Sequence, residues 1–211
     1  MKKLGQILAN SVKAATTERP RYKLDLPEND VFAAIGSICV AEITSRGGTP
    51  DKRAIAGYAR MVARWMTEPQ TKPGLILSGN AGTGKTTIAK SICWYLHSIG
   101  YLDKCFIAAT DLNENFVINP GDSARKFCEG SGCTWLILDD VGEEQTDVRE
   151  YGNIKSPFIK VVASRYDRLL PLIVTTNLGI SEIESKYGVR TMDRLREIAE
   201  WIPFNGNSFR K

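Results

Sequence analysis

Gly79-Asn80-Ala81-Gly82-Thr83-Gly84-Lys85-Thr86 is the stretch that decides the fold of this chain, because it fits G-x-x-x-x-G-K-T without a mismatch. A short apolar run, Gly74 to Ser78, precedes it, and Thr86 to Ile99 carries apolar residues at helical spacing. Glycines let successive backbone N–H groups surround an anion, and the helix that follows points the positive end of its dipole at the same place. This order of strand, loop and helix predicts a phosphate-binding loop.

The loop and the start of its helix supply the expected nucleotide-binding residues: Gly79, Asn80, Ala81, Gly82, Thr83, Gly84, Lys85, Thr86 and Thr87. We expect Lys85 to reach the β- and γ-phosphates of ATP, and the Thr86 hydroxyl to hold Mg²⁺. The alternative is a glycine-rich turn that carries a lysine by chance. The strand and helix patterns on either side argue against it.

Composition bounds the class of protein. The chain has 211 residues, of which 43% are hydrophobic and 25% charged, as in a globular protein with one main domain. No apolar stretch approaches the roughly 18 residues of a membrane helix, so a cytoplasmic protein is expected. The net charge of +4 permits an anionic partner without arguing for one. Five scattered cysteines and a single histidine favour buried thiols over a metal site.

Two regions are expected along the chain. Residues 1–50 are interpreted as an N-terminal appendage and linker, and residues 51–211 as the ATPase domain. Residues 2–16 have the spacing of a short amphipathic helix, which either docks on a partner or packs on its own core. Thr49-Pro50 is the expected start of a helix that runs past Met66.

From residue 74 onward, strand and helix patterns alternate. The apolar runs are continuous, which is typical of strands covered on both faces, so we predict an α/β fold with a parallel sheet between helices. The expected strands are 74–78, 104–109, 134–138 and 172–176; the expected helices are 86–99, 123–128, 158–169, 180–186 and 191–199.

A second acidic motif follows about fifty residues after the loop. Trp135 to Leu138 is an apolar run that ends in Asp139 and Asp140. We expect Asp139 to reach the Mg²⁺ shell and Asp140 to position the attacking water. Many ATPases carry glutamate at the second position, so the shorter aspartate favours slow hydrolysis. An ordinary strand end is the alternative interpretation.

Polar residues follow the next predicted strand. Asn177 can bond the attacking water or the γ-phosphate, although asparagine is also common in turns at strand ends. Further on, Arg190, Arg194 and Arg196 lie within seven residues. They form either a solvated surface or an arginine finger that stabilises the transition state of an adjoining site.

Taken together, residues 53–211 resemble the AAA+ ATPases of the bacterial and phage helicase-loader group, the DnaC/DnaI kind, to which the helper ATPases of IstB-type transposons are related. The resemblance rests on the Walker A loop Gly79 to Thr86 and on four further motifs: Leu138-Asp139-Asp140-Val141-Gly142, Thr175-Thr176-Asn177-Leu178, Tyr187-Gly188-x-Arg190-x-x-Asp193-Arg194-Leu195 and Phe204-x-Gly206-x-Ser208-Phe209-Arg210.

This resemblance implies a P-loop NTPase fold with a five-stranded parallel sheet in the order 5-1-4-3-2 and little or no C-terminal helical lid. It implies that Asn177 is the sensor 1 residue, that Arg194 is a finger acting on the next subunit's ATP, and that Arg210 is the sensor 2 arginine. ATP and Mg²⁺ are the implied ligands. The implied partners are further copies of the chain when ATP is bound and a replicative hexameric helicase, with single-stranded DNA left open.

Two departures limit what the resemblance carries. Residues 110–133, where such loaders insert a DNA-contacting element, hold four acidic residues against Arg125 and Lys126, which is a poor surface for nucleic acid. The N-terminal part is also short. Three hypotheses therefore remain: a self-assembling ATPase of replication or transposition, an adaptor locked by nucleotide with negligible hydrolysis, and a small-molecule kinase. The arginine-containing tail argues against the kinase.

Overall fold

The computed structural model describes residues 22–144, 149–150, 153–154 and 156–205. The predicted helix at 2–16 and the predicted sensor residue Arg210 lie outside them. The helices are α1 (Glu28–Ser45), α2 (Lys52–Thr67), α3 (Lys85–Ser98), α4 (Ala109–Ile118), α5 (Pro120–Ser123), α6 (Pro157–Arg168), α7 (Ile180–Tyr187) and α8 (Val189–Ile198), with a π-helical turn at Ala124–Cys128. The strands are β1 (Gly74–Gly79), β2 (Lys104–Ala108), β3 (Trp135–Val141), β4 (Arg149–Glu150), β5 (Asn153–Ile154), β6 (Leu172–Thr176) and β7 (Ala199–Phe204).

Five of the strands form one parallel sheet in the order β2-β3-β6-β1-β7. Numbered along the chain without the small β4–β5 pair, this order is 2-3-4-1-5, which is the predicted 5-1-4-3-2 viewed from the opposite edge. The predicted fold class is confirmed. Because all five strands run the same way, their carboxyl ends meet at one edge of the sheet, where ligands bind in open α/β folds.

The sheet separates two hydrophobic clusters, one on each face. The first joins α1, α2 and α3 to alternate residues of β1 such as Leu75 and Leu77. The second joins α4, α6, α7 and α8 to the residues of β1, β3 and β6 that point the other way, such as Ile76 and Leu138. Burial on both faces explains the continuous apolar runs. No described helix has the length and apolar character needed to cross a membrane.

The sequence patterns did not locate every element. Strand β7 begins at Ala199, where a helix was predicted to end. The sequence analysis missed this strand because Glu200 and Pro203 interrupt its apolar pattern. The strand lies at the edge of the sheet, where proline is tolerated. Helix α4 was also missed. The start of α2 was misplaced: Asp51, not Thr49, caps this helix, and its carboxylate accepts hydrogen bonds from the Arg53 and Ala54 N–H groups at 3.0 Å.

Helix α1 occupies most of the region between the expected linker and α2. It buries Val31, Ile35, Cys39 and Ile43 in the same cluster as α3 and β1. These residues recur every four positions, a helical spacing that the sequence analysis passed over. The described part of the appendage therefore packs on the sheet, and the domain boundary at residue 50 stays a prediction.

A buried arginine joins the elements at the amino ends of β3 and β6. The Arg165 side chain, on α6, has no exposed surface and donates to the carbonyl oxygens of Phe127, Cys133, Thr134 and Pro171 at 2.7–2.9 Å. Burial lowers its pKa to about 10, so the group remains charged at neutral pH. Its hydrogen bonds offset the cost of burying the charge.

We predict that Arg165→Ala lowers the free energy of unfolding by roughly 3 kcal/mol, because four carbonyl oxygens lose their donor. Denaturant titration of the variant measures this loss. The control is Arg168→Ala, an exposed arginine on the same helix, which is expected to change stability by less than about 0.5 kcal/mol. Equal effects for the two variants would contradict the assigned role of Arg165.

Candidate active site

The predicted phosphate-binding loop turns between β1 and α3 with the geometry that its glycines permit. Gly84, the N-cap of α3, has a left-handed φ of 95°. Gly79 has a φ of 140°, and a Cβ there would lie 2.3 Å from the Phe204 carbonyl oxygen of β7. Thr83 closes the turn by donating its hydroxyl hydrogen to the Asn80 carbonyl oxygen at 2.8 Å. Glycine at residue 79 thus allows β7 to approach the loop.

Lys85 is almost completely buried, with 4% of its surface exposed. Its Nζ donates to the Gly79 and Asn80 carbonyl oxygens at 2.7 and 2.8 Å and to Oδ1 of Asn177 at 2.8 Å. An ammonium group has three donors, so these three acceptors can satisfy it. The contact with Asn177 joins the loop to the carboxyl end of β6, the neighbouring strand.

Two carboxylates lie at the carboxyl end of β3. Asp139 is 7% exposed, and its Oδ1 accepts a hydrogen bond from the Thr175 hydroxyl at 2.7 Å. Asp140 is exposed and has a left-handed φ of 54°. Aspartate tolerates this conformation better than most residues. The two neighbouring carboxylates therefore lie in different environments, one buried and one facing solvent.

The segment that follows β3 is held against α7. The Glu144 side chain is buried and accepts from the Gly142 N–H at 2.8 Å and from the Tyr187 hydroxyl. Lys186 donates to the Gly142 and Glu144 carbonyl oxygens. Burial, followed by the hydrogen bond to Glu144, raises the pKa of Tyr187. These contacts fix the chain immediately after Asp140 and connect it to the helix that precedes α8.

A cleft of about 730 Å³ opens above the loop. It is lined by Ile43, Arg46, Gly47, Gly48, Ala81, Gly82, Gly84, Lys85, Thr86, Thr87, Asp140, Glu143 and Asn177. Most of the predicted binding residues thus meet around one volume. Gly79 and Asn80 contact this wall through Lys85, while Asp139 lies behind it against Thr175.

Sequence reasoning missed one wall of the cleft. Ile43 and Arg46 come from the end of α1, and Gly47 and Gly48 from the loop that follows. The available signal was a Gly-Gly pair directly after a helical repeat of apolar residues. Glu143 was also missed; its Oε1 lies 3.4 Å from Nδ2 of Asn177.

The predicted arginines lie elsewhere. The guanidinium carbon of Arg194, on α8, is 5.6 Å from the centroid of the Tyr166 ring, and this arginine is not among the described residues that line the cleft. Arg196 forms ion pairs with Glu184 and Asp193 at 3.3 and 3.2 Å, and Arg190 is exposed. The structure therefore brings Lys85, Asp140 and Asn177 together and leaves Arg194 apart from them.

The donors at the cleft suit Mg²⁺. The Thr86 hydroxyl and the Asp140 carboxylate on the cleft wall, with the Asp139 carboxylate behind it, are hard oxygen ligands. Mg²⁺ usually takes one or two carboxylates together with phosphates and water. Within the described ranges, no group of three or more His, Cys, Asp or Glu residues could hold a metal ion. These donors fit a metal bound together with a phosphate ligand rather than one enclosed by protein.

We predict that Tyr187→Phe lowers the free energy of unfolding by about 1–3 kcal/mol, because the buried Glu144 carboxylate loses a donor. Tyr166→Phe is the matched control: its hydroxyl contacts Glu197 at 2.6 Å at the surface, so a change below about 0.5 kcal/mol is expected. Thermal or denaturant unfolding measures both. An unchanged stability in Tyr187→Phe would contradict the stabilising role assigned to the Tyr187–Glu144 hydrogen bond.

Comparison with known proteins shows that the fold is shared with several solved structures. Among solved structures, the DnaC helicase loader is 19% identical with a TM-score of 0.59, over 74% of this chain and 93% of that chain. DnaI is 20% identical with a TM-score of 0.58, over 88% and 95%. AMPPCP-bound DnaA from Aquifex aeolicus is 17% identical with a TM-score of 0.51, over 66% of this chain and 42% of that one. At these identities the likeness concerns the fold.

No curated protein sequence matches the chain significantly. The model of the IstB-like ATP binding protein family matches residues 48–211, which is most of the sequence and includes every described residue of the loop, the acidic motif and α8. The resemblance inferred from the sequence motifs is confirmed, and the chain belongs to the family of IstB-like ATP binding proteins.

Proposed function

We propose that this protein binds ATP with Mg²⁺ in the cleft above the loop and hydrolyses it to ADP and phosphate. The observation that carries the proposal is the meeting of Lys85, Asp140 and Asn177 around one cleft at the carboxyl edge of the sheet. These side chains supply a phosphate-binding cation, a carboxylate for the attacking water and a polar amide. They come from three different elements, α3, β3 and the end of β6.

Lys85 and the loop bind the phosphates. The Lys85 ammonium group has the Asn177 oxygen and two loop carbonyls as acceptors. A phosphate oxygen can therefore take the place of Asn177 without leaving the charge uncompensated. Asn177 is then available to the γ-phosphate or to water. Thr86 and, through water, Asp139 would hold Mg²⁺, which would neutralise charge on the phosphates.

Asp140 is the residue that orients the attacking water. Its carboxylate accepts a hydrogen bond from the water, whose oxygen forms the new bond to the γ-phosphorus as the bond to the bridging oxygen of ADP breaks. The exposed position of Asp140 on the cleft wall suits this role better than that of the buried Asp139. Sensor 1 function for Asn177 rests on its contact with Lys85.

Replacing Asp140 with asparagine tests this assignment. We expect Asp140→Asn to bind ATP within about threefold of wild type and to lose turnover by about 100-fold or more, as general-base variants do. Phosphate release and fluorescent-nucleotide titration measure the two properties. Asp103→Asn, an exposed aspartate at the opposite end of the sheet, is the control. Wild-type turnover in Asp140→Asn would refute the role; tight Mg-ATP binding without turnover in the wild type would favour the adaptor.

Self-assembly is the second part of the proposal. Arg194 lies over Tyr166 and apart from its own cleft, which supports a role toward the ATP of a neighbouring copy. A planar guanidinium suits the charge that develops on the transferred phosphoryl group. Arg210 is proposed as a sensor on the family pattern alone.

A mixing experiment tests the finger in trans. Lys85→Ala removes ATP binding and Arg194→Ala removes the finger, so each variant alone is expected to lose at least about 100-fold in turnover. A mixture should regain a substantial part of the activity, because Lys85→Ala subunits supply Arg194 to subunits that hold ATP. A mixture of Arg194→Ala with the double variant is the control. No recovery in the first mixture would contradict assembly through Arg194.

Two candidate partners have support. A replicative hexameric helicase is proposed because the fold is shared with the DnaC helicase loader. A transposase is proposed because the family model is that of IstB-like proteins. The Asp140→Asn variant, which is expected to hold ATP without turnover, is the suitable bait: recovery of the helicase supports the loader, and recovery of the transposase supports the helper.

Direct binding of single-stranded DNA has less support from the surface. In residues 109–129, Arg125 is paired with Asp122, and Asp111, Glu114 and Glu129 outnumber the remaining cation, Lys126. A nucleic-acid site requires cations that can reach phosphates. Any DNA contact is therefore proposed to lie outside this segment.

A further inference from the structure

The pairing of β3 with β6 is irregular at the site. Leu138 pairs with Val174, and the next pair is Val141 with Thr176. Between these pairs β3 advances by three residues and β6 by two. One extra residue in one strand is a β-bulge, and bulges commonly occur next to active sites, where they redirect a side chain. The left-handed Asp140 lies within this bulge.

Thr175 occupies the opposing position on β6 and has no exposed surface. Its hydroxyl accepts a hydrogen bond from the Asp140 backbone N–H at 2.8 Å and donates one to Oδ1 of Asp139 at 2.7 Å. The bulge takes the Asp140 N–H out of the regular ladder, and the threonine side chain provides the acceptor instead. One hydroxyl group thus contacts both residues of the acidic motif.

The neighbouring threonine has a different task. Thr176 donates to the Val141 carbonyl oxygen at 2.6 Å and accepts from the Leu178 N–H at 3.0 Å. Both of its contacts are to backbone, so it holds the end of the sheet and the turn around Asn177. Thr175 alone of the pair contacts a carboxylate.

The Thr175 hydroxyl affects how the carboxylates of Asp139 and Asp140 are oriented. Because the Thr175 hydroxyl is the donor to Oδ1, it restricts rotation of the Asp139 carboxylate, while Oδ2 takes no part in this contact. Because the same oxygen accepts from Asp140, it also supports the left-handed backbone that turns the second carboxylate toward the cleft. Valine has the same shape and fits a buried strand, but it can do neither.

We propose that Thr175 is a positioning residue of the ATP site, whose hydroxyl orients Asp139 toward the metal shell and holds Asp140 facing the cleft. The inference rests on the proposed function, since it assumes that a metal-nucleotide complex binds there. Outer-shell partners of metal ligands act in this way, and their loss typically weakens metal binding 10- to 100-fold.

The test compares Thr175→Val with Thr175→Ser, which keeps the hydroxyl. Fluorescent-ATP binding is titrated with Mg²⁺, and metal-free nucleotide binding is measured separately. We expect Thr175→Val to raise the half-saturating Mg²⁺ concentration about tenfold or more while metal-free binding changes less than about twofold. Thr175→Ser should stay within about threefold of wild type. Hydrogen exchange of the peptide spanning residues 138–141 should accelerate in the valine variant alone.

Thr176→Val is the matched control for lost stability. It removes a buried hydroxyl one residue away but no contact to a carboxylate, so we expect a lower melting temperature with an unchanged Mg²⁺ requirement. A Thr175→Val variant with the Mg²⁺ dependence of the wild type would overturn the proposal, as would an equal shift in Thr176→Val. Turnover of the wild type tests the proposed function separately: if it is absent, hydrolysis fails, and the Mg²⁺ titration still decides the role of Thr175.

Discussion

The parallel pairing of β6 with β1 on one side and β3 on the other is the constraint on which the site depends. It brings the loop after Gly79, the acidic end of β3 and Asn177 to the same edge of the sheet. Parallel strands are joined by crossover connections, and here helices pack on both faces of the sheet and bury the strands. The elements that supply the proposed nucleotide site are therefore also those that close the core.

A buried cation is hydrogen-bonded at each end of this sheet. At the amino end, the Arg165 guanidinium binds four carbonyl oxygens; at the carboxyl end, Lys85 binds two loop carbonyls and Asn177. The difference is functional. The Arg165 guanidinium contacts carbonyl oxygens and a cysteine sulfur of the segments packed around it, whereas Lys85 faces a cleft where a ligand can replace one of its acceptors.

The elements and residues that could be predicted from the sequence are those with a local signal. The loop, four strands and most helices follow from spacing that a short window contains, and Asp139 and Asp140 follow from their place after an apolar run. Strand β7 was not predicted because Glu200 and Pro203 interrupt its apolar pattern; both residues are tolerated in a strand at the edge of the sheet. The cleft wall formed by Gly47 and Gly48 was missed because their Gly-Gly pair indicates a turn after a helix but does not say which site the turn faces.

By itself the sequence predicted a phosphate-binding loop and determined a pair of carboxylates after a buried strand and a parallel α/β fold, because each depends on neighbouring residues. Only the tertiary structure decided which groups meet. Thr175 contacts Asp139 across 36 residues and Lys85 contacts Asn177 across 92, while Arg194 lies over Tyr166 and away from the cleft. Such contacts depend on strand register and on the satisfaction of buried polar groups, which no local pattern specifies.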